Sequence, residues 1–144
     1  KGRKGDIDSD VVNREFIGFV QRLQEDYKNL YIKYGWADSE AQYLINGIIK
    51  ACRMAGLSVQ IGDAAKNEIV QRIYCTNTLL NTKRLFFLPE CELVIGGLKS
   101  ASWDPTKVKD TRLDNFSTDI DILDGFEYSF EKYMHKLVPK GELQ

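Results

Sequence analysis

A chain of 144 residues with 43% hydrophobic and 28% charged side chains has the composition of one globular domain, not of a disordered chain. Its formal net charge of −1 excludes a protein coated in positive charge, so any affinity for nucleic acid must be local. Lys1, Arg3 and Lys4 make one small basic cluster, and Lys107 and Lys109 another.

Apolar runs such as Leu85 to Leu88 fall far short of the roughly 20 residues that span a bilayer, and no charged-then-apolar leader opens the chain. The expectation is a cytosolic protein with no membrane partner. Cys52, Cys75 and Cys91 are odd in number, widely spaced and set among apolar residues, which reads as packing rather than as a disulfide framework or a zinc site.

Asp8, Ser9 and Asp10 are cap-type residues, and Val12, Phe16, Phe19, Val20, Leu23 and Tyr27 follow at helical spacing. Leu30 to Trp36 is aromatic and β-branched and predicts a strand, after which Asp38 or Ser39 can cap a helix. That helix carries Ala41, Leu44, Ile45, Ile48, Cys52 and Ala55 on one face and ends at Gly56, suited to a left-handed C′ position. A second strand, Leu57 to Ile61, completes a strand-helix-strand unit, which predicts a parallel pair joined by a right-handed crossover. Asp38 then lies at the carboxyl edge of the sheet, where ligand sites of open α/β sheets gather.

A further helix is expected from about Lys66 to Leu80, an extended segment over Arg84 to Leu88 closed by Pro89, and a short helix within Glu90 to Ser100. Trp103 to Ser117 is polar and aperiodic and reads as a loop of about fifteen residues, of the kind that is usually functional or mobile. A final helix is expected from Thr118 to about Leu137, with Ile120, Leu123, Phe126, Phe130, Met134 and Leu137 inward.

The densest chemistry lies at the start of that helix. Residues three apart share a helical face, so Asp121 and Asp124 present carboxylates side by side, with Tyr128 a turn further on. Unpaired, these acids repel and raise each other's pKa unless a cation neutralises them; Mg2+ and Mn2+, hard ions that take carboxylate oxygens, suit the task. The alternative is structural: Thr118 and Asp121 have capping-box spacing, and acids in a first turn favour the helix dipole in any protein. Asp38 likewise has a plain reading as a cap.

The run TDIDILDGFEYSFEKYM resembles the end of the nuclease domain in large terminases of tailed phages of Gram-positive bacteria. Upstream, Asp38-Ser39 after an aromatic strand resembles the family's second acidic position, and Ala65-Lys66-Asn67-Glu68-Ile69 resembles its "A-K-x-x-I" helix start. Arg84-Leu85 through Pro89-Glu90-Cys91, and Ser102-Trp103-Asp104 before a variable loop, continue the likeness in order, from about residue 7 to about residue 135.

The resemblance implies an α/β, ribonuclease H-like mixed sheet flanked by helices, within one domain over residues 1–144 that forms the C-terminal part of the nuclease domain. It further implies two Mg2+ or Mn2+ ions held by Asp38, Asp121 and Asp124 as catalytic and metal-binding residues. Asp121 stands where many relatives have His. The implied substrate is double-stranded, concatemeric phage DNA, cut during packaging in the cytoplasm of an infected or lysogenic bacterium. The implied partners are the terminase small subunit and the portal protein, with Lys66, Lys107, Lys109 and Arg112 as phosphate contacts.

The family's first catalytic Asp lies on the first of three strands that precede the opening helix, and Lys1 to Ile7 cannot supply them, so a chain beginning within the domain is expected. Nothing matches the P-loop pattern of the family's motor. The alternatives are a catalytically incomplete DNA-binding or motor-docking module, or another ribonuclease H-like nuclease such as a resolvase.

Overall fold

The computed structural model describes residues 8–28, 30–114 and 120–138, and in it the chain is mixed α/β. The chain divides into two compact units, Lys1–Ala64 and Ala65–Gln144.

The first unit is a strand-helix-strand motif preceded by a helix. Helix α1 (Ser9–Asp26) is capped by Asp8, whose carboxylate accepts from the Asp10 N–H at 2.9 Å. Strands β1 (Tyr34–Ala37) and β2 (Gln60–Asp63) pair in parallel as the sequence pattern requires, although both begin three to four residues later than expected. Each strand carries a glycine opposite a bulky residue, Gly35 against Ile61 and Trp36 against Gly62, so the large side chains lie across bare backbone. Tyr34 and Trp36, two residues apart and therefore on one face, stack with ring centroids 5.7 Å apart.

Helix α2 (Gln42–Met54) connects the strands and stops where Gly56 adopts φ 69°. The Gly56 N–H bonds to Arg53 O and the Leu57 N–H to Cys52 O, the paired bonds of a Schellman end. Val20, Cys52 and Val59 form the buried centre, with Phe16, Ile17, Ile48 and Ile61 packed around it.

The second unit is helical. Helix α3 (Ile69–Asn81) starts three residues later than expected, because Lys66 takes a left-handed φ of 52° and cannot open a helix. It ends on another Schellman pair, Lys83 N–H to Leu80 O and Arg84 N–H to Leu79 O, with Lys83 at φ 56° in the place glycine usually fills. From Arg84 to Leu88 burial alternates: Leu85 and Phe87 are half-buried, Phe86 and Leu88 exposed, the period-two pattern of extended chain. Helix α4 (Glu92–Ser100) follows within its expected span.

Two expectations are revised here. The segment read as a long loop from Trp103 is ordered as an antiparallel turn-back over its first part. Trp103 bridges Arg112, the Asp104 N–H bonds to Thr111 O, and the Leu113 N–H to Ser102 O; residues 115–119 lie outside the described set. The helix expected over Thr118 to Leu137 is interrupted. Helix α5 (Ile120–Tyr128) gives way to a 3-10 turn (Glu131–Tyr133) and the single-turn helix α6 (Met134–Leu137).

The break falls at Ser129. Its N–H and hydroxyl both donate to Phe126 O, and the Phe130 N–H donates to Glu127 O, tightening the ladder from four residues to three. Cys75 and Leu79 of α3 meet Phe130, Met134 and Val138 in the core beyond it. Burial pushes the Cys52 and Cys75 thiols above their ordinary pKa, consistent with packing rather than reactive cysteines. Among the described residues, no helix is long and apolar enough to cross a membrane.

A Cβ at position 62 would stand 2.9 Å from Trp36 Cζ3, so Gly62→Ala is expected to destabilise the first unit by about 1–3 kcal/mol in urea unfolding. Gly35→Ala should cost less, because its nearest neighbour is the rotatable Cδ1 of Ile61.

Candidate functional site

Asp38 directly follows β1 and lies at the carboxyl edge of the parallel pair. Its Oδ1 accepts from the Glu40 N–H at 2.8 Å and caps the 3-10 turn (Ser39–Ala41) that leads into α2. The register pairs Ala37 with Asp63, so the neighbouring strand ends in a second carboxylate at the same edge. Gln42 Nε2 donates to Asp63 Oδ1 at 3.0 Å. Asp63 was hidden from sequence reading, because the apolar pattern of β2 stops at Ile61 and the strand does not.

The acids of α5 lie in the second unit. Asp121 is exposed on the first turn, whereas Asp124, 31% exposed, faces inward to a cluster of charges. Arg72 of α3 donates from Nη1 to Asp124 Oδ1 at 2.8 Å and lies 3.0 Å from Glu127 Oε2. Its Nε is 3.3 Å from Glu131 Oε1, close enough for ion pairing yet not aligned for a hydrogen bond. Arg112, from the returning arm of the turn-back, grips Glu127 with both terminal nitrogens, Nη1 to Oε2 at 2.9 Å and Nη2 to Oε1, in a two-pronged guanidinium-carboxylate pair. Glu131 also accepts from the backbone N–H groups of Lys66 and Asn67, at 3.0 and 3.2 Å.

Two guanidiniums thus face three carboxylates, and the side chains of Arg72, Arg112, Glu127 and Glu131 are all at most 7% exposed. Burial alone would lower the Arg72 pKa; the hydrogen bond to Asp124 and the charges of Glu127, Asp124 and Glu131 outweigh it and hold the pKa above its ordinary value. Asp124 therefore already has a cationic neighbour, and its charge does not by itself call for a metal ion. Among the described residues, no group of three or more His, Cys, Asp or Glu side chains is arranged to hold one.

The basic residues divide. Arg112, expected at a phosphate, is instead buried against Glu127, and its charge is consumed inside the unit. Lys107 and Lys109 are exposed at the tip of the turn-back, where Lys109 Nζ lies 3.4 Å from Glu68 Oε1. Asp104 shapes that tip: its Oδ1 accepts from the Thr106 hydroxyl and N–H, which hold the carboxyl below its usual pKa. Lys66 joins the site through its backbone bond to Glu131.

The residues that sequence reading passed over are Arg72, Glu127 and Glu131. The available signal was their position on apolar stripes: Arg72 is three residues from both Ile69 and Cys75, and Glu127 four from Leu123. A charge on such a stripe is buried only with a partner. The chain matches no protein-family model, no curated protein and no solved structure.

Glu127 is the hub of this cluster, and Glu127→Gln should lower stability by about 3–5 kcal/mol, because both guanidiniums lose a buried counter-charge. Asp124→Asn should cost less than about 1 kcal/mol: its side chain is partly solvated, and the amide oxygen can still accept from Arg72. Chemical denaturation of the two variants measures the ordering, and equal losses would contradict it.

Proposed function

We propose that this chain acts in a metal-dependent DNA endonuclease of the tailed-phage terminase type, with a ribonuclease H-like domain that cuts concatemeric double-stranded DNA in the bacterial cytoplasm. The terminase small subunit and portal protein are its proposed partners. The observation that carries this reading is the parallel β1-α2-β2 unit with Asp38 at its carboxyl edge, beside a strand ending in Asp63.

The donor chemistry fits Mg2+ or Mn2+ at Asp38 and Asp63 in the first unit and at the exposed Asp121 in the second, all hard carboxylate oxygens. It does not fit at Asp124 in this arrangement, because its Oδ1 is 2.8 Å from Arg72 Nη1 and 3.6 Å from Arg112 Nη1. Ions bound to such carboxylates supply activation of the attacking water and stabilisation of the leaving 3′-oxygen. Gln42, bonded to Asp63, fixes the orientation of that carboxylate, and the Glu40 N–H does the same for Asp38. Lys107 and Lys109 are proposed to meet the phosphate backbone, with Lys66 as a further candidate.

One specific observation favours a second reading, a DNA-binding or motor-docking module that does not cut. Arg72 and Arg112 neutralise Asp124, the acid that the resemblance makes a metal ligand.

Cleavage of linear duplex DNA with Mn2+ by the complete nuclease domain separates the two. On the nuclease reading the protein cuts and is thermally stabilised by Mn2+, and Asp38→Asn and Asp121→Asn each abolish cutting without unfolding the protein. Binding without cutting, with no thermal response to Mn2+, selects the module instead.

In either case, replacing Lys107 and Lys109 by Ala should weaken duplex binding. The slope of log K against log salt should flatten by about 1.8, or roughly 0.9 for each phosphate that is no longer neutralised. An unchanged slope removes the turn-back from the DNA surface.

A further inference from the structure

The second unit contains a cavity of about 290 Å3 that none of the roles above uses. Its apolar lining comes from Ile73, Leu98, Ala101 and Leu123, together with Trp103, itself 48% exposed. The polar lining is uneven. Asn77 and Ser102 are exposed, whereas Thr76, Arg112 and Glu127 are buried: the Thr76 hydroxyl donates to Arg72 O and the terminal nitrogens of Arg112 donate to Glu127, while Arg112 Nε has no hydrogen-bond partner among the described residues.

Such a space suits a flat, uncharged ring system. A charged ligand would find Arg112 and Glu127 neutralising each other, and a long flexible ligand would exceed a volume at the small end of the range for ligand sites. A planar heterocycle can stack on Trp103 while its edge donates to and accepts from the Asn77 amide, which carries both functions.

The position of the cavity narrows the ligand further. Trp103 opens the turn-back whose tip carries Lys107 and Lys109, so a stacking surface and two exposed cations belong to one short segment. Aromatic stacking beside a basic track is how proteins hold single-stranded nucleic acid without reading its sequence. We propose that this cavity receives one unpaired nucleobase of a single DNA strand, stacked on Trp103, with the adjoining phosphates held by Lys107 and Lys109. The proposal rests on the reading of the chain as a DNA-acting protein, and not on whether it cuts.

Binding of a fluorescently labelled single strand of about 12 nucleotides, followed by anisotropy in EDTA, tests it on the whole chain. Trp103→Ala should weaken binding about tenfold or more, Trp103→Phe should restore most of the loss, and an abasic strand of the same length should bind the parent weakly. Alanine at Lys107 and Lys109 should weaken the normal and abasic strands alike.

Equal affinity for normal and abasic strands, or an unaffected Trp103→Ala variant, overturns the proposal. So does a mononucleotide that competes at the same concentration as the strand, which would make the cavity a free-nucleotide site. Because EDTA removes the ions that cutting requires, duplex cleavage without base-dependent binding would retain the nuclease reading and reject this one. Base-dependent binding without cleavage would do the reverse.

Discussion

Five charged side chains in the second unit, Arg72 and Arg112 against Asp124, Glu127 and Glu131, fix how its elements meet. Taking ions out of water costs several kcal/mol each, and their mutual attraction offsets that only when the geometry is good and the remaining hydrogen-bonding groups are occupied. Here the geometry is good at Glu127, held by the two prongs of Arg112 and by Arg72. It is weaker at the Nε atoms of Arg72 and Arg112, for which no hydrogen-bond partner is found among the described residues. A cluster of this kind is weak evidence for net stability, yet taking away a fully buried member leaves its partner's charge uncompensated.

Its reach explains features that local propensity does not. Lys66 holds a left-handed backbone conformation that costs a non-glycine residue about 1–2 kcal/mol, and its N–H and that of Asn67 both donate to the Glu131 carboxylate. The entry to α3 is therefore set by an acid 65 residues away, which is why a helix expected to open near Lys66 opens at Ile69. In the same way Arg112 ties one arm of the turn-back to α5, ordering part of a segment whose own composition offers little apolar surface to bury.

Features governed by neighbours in sequence were legible. The apolar stripes located α1, α2 and α4, the Gly56 end of α2 was visible as a glycine after the last periodic residue, and strand-helix-strand order implied the parallel pair. What was not legible was either a local competition that the apolar stripe does not record or a dependence on distant partners. The break at Ser129 follows from one hydroxyl donating to Phe126 O, in a stretch whose stripe continues unbroken on either side. Asp63 joined the edge beside Asp38 through cross-strand register, and register is not written in either strand alone. The spacing of Asp121 and Asp124 placed two acids on one helical face, but it could not show that a cation from elsewhere in the chain already stands beside one of them. For Asp124 the nearest is Arg72, 52 residues upstream.

That division of cations follows from the chemistry of the two basic side chains. A guanidinium is planar, weakly hydrated and always charged, and its fork matches a carboxylate, so it suits the buried positions that Arg72 and Arg112 occupy. A lysine ammonium is strongly hydrated and loses more on leaving water, so it is better placed at the exposed tip, where Lys107 and Lys109 stand. Counting basic residues along the turn-back therefore overstates what it can offer to a polyanion: one of its three strongest candidates faces inward. On the proposed reading, two exposed lysines on the segment that opens with the half-exposed Trp103 favour contact through stacking and a few phosphates over a broad electrostatic clamp. In a chain of net charge −1, such a contact adds apolar surface to the little that charge alone can supply.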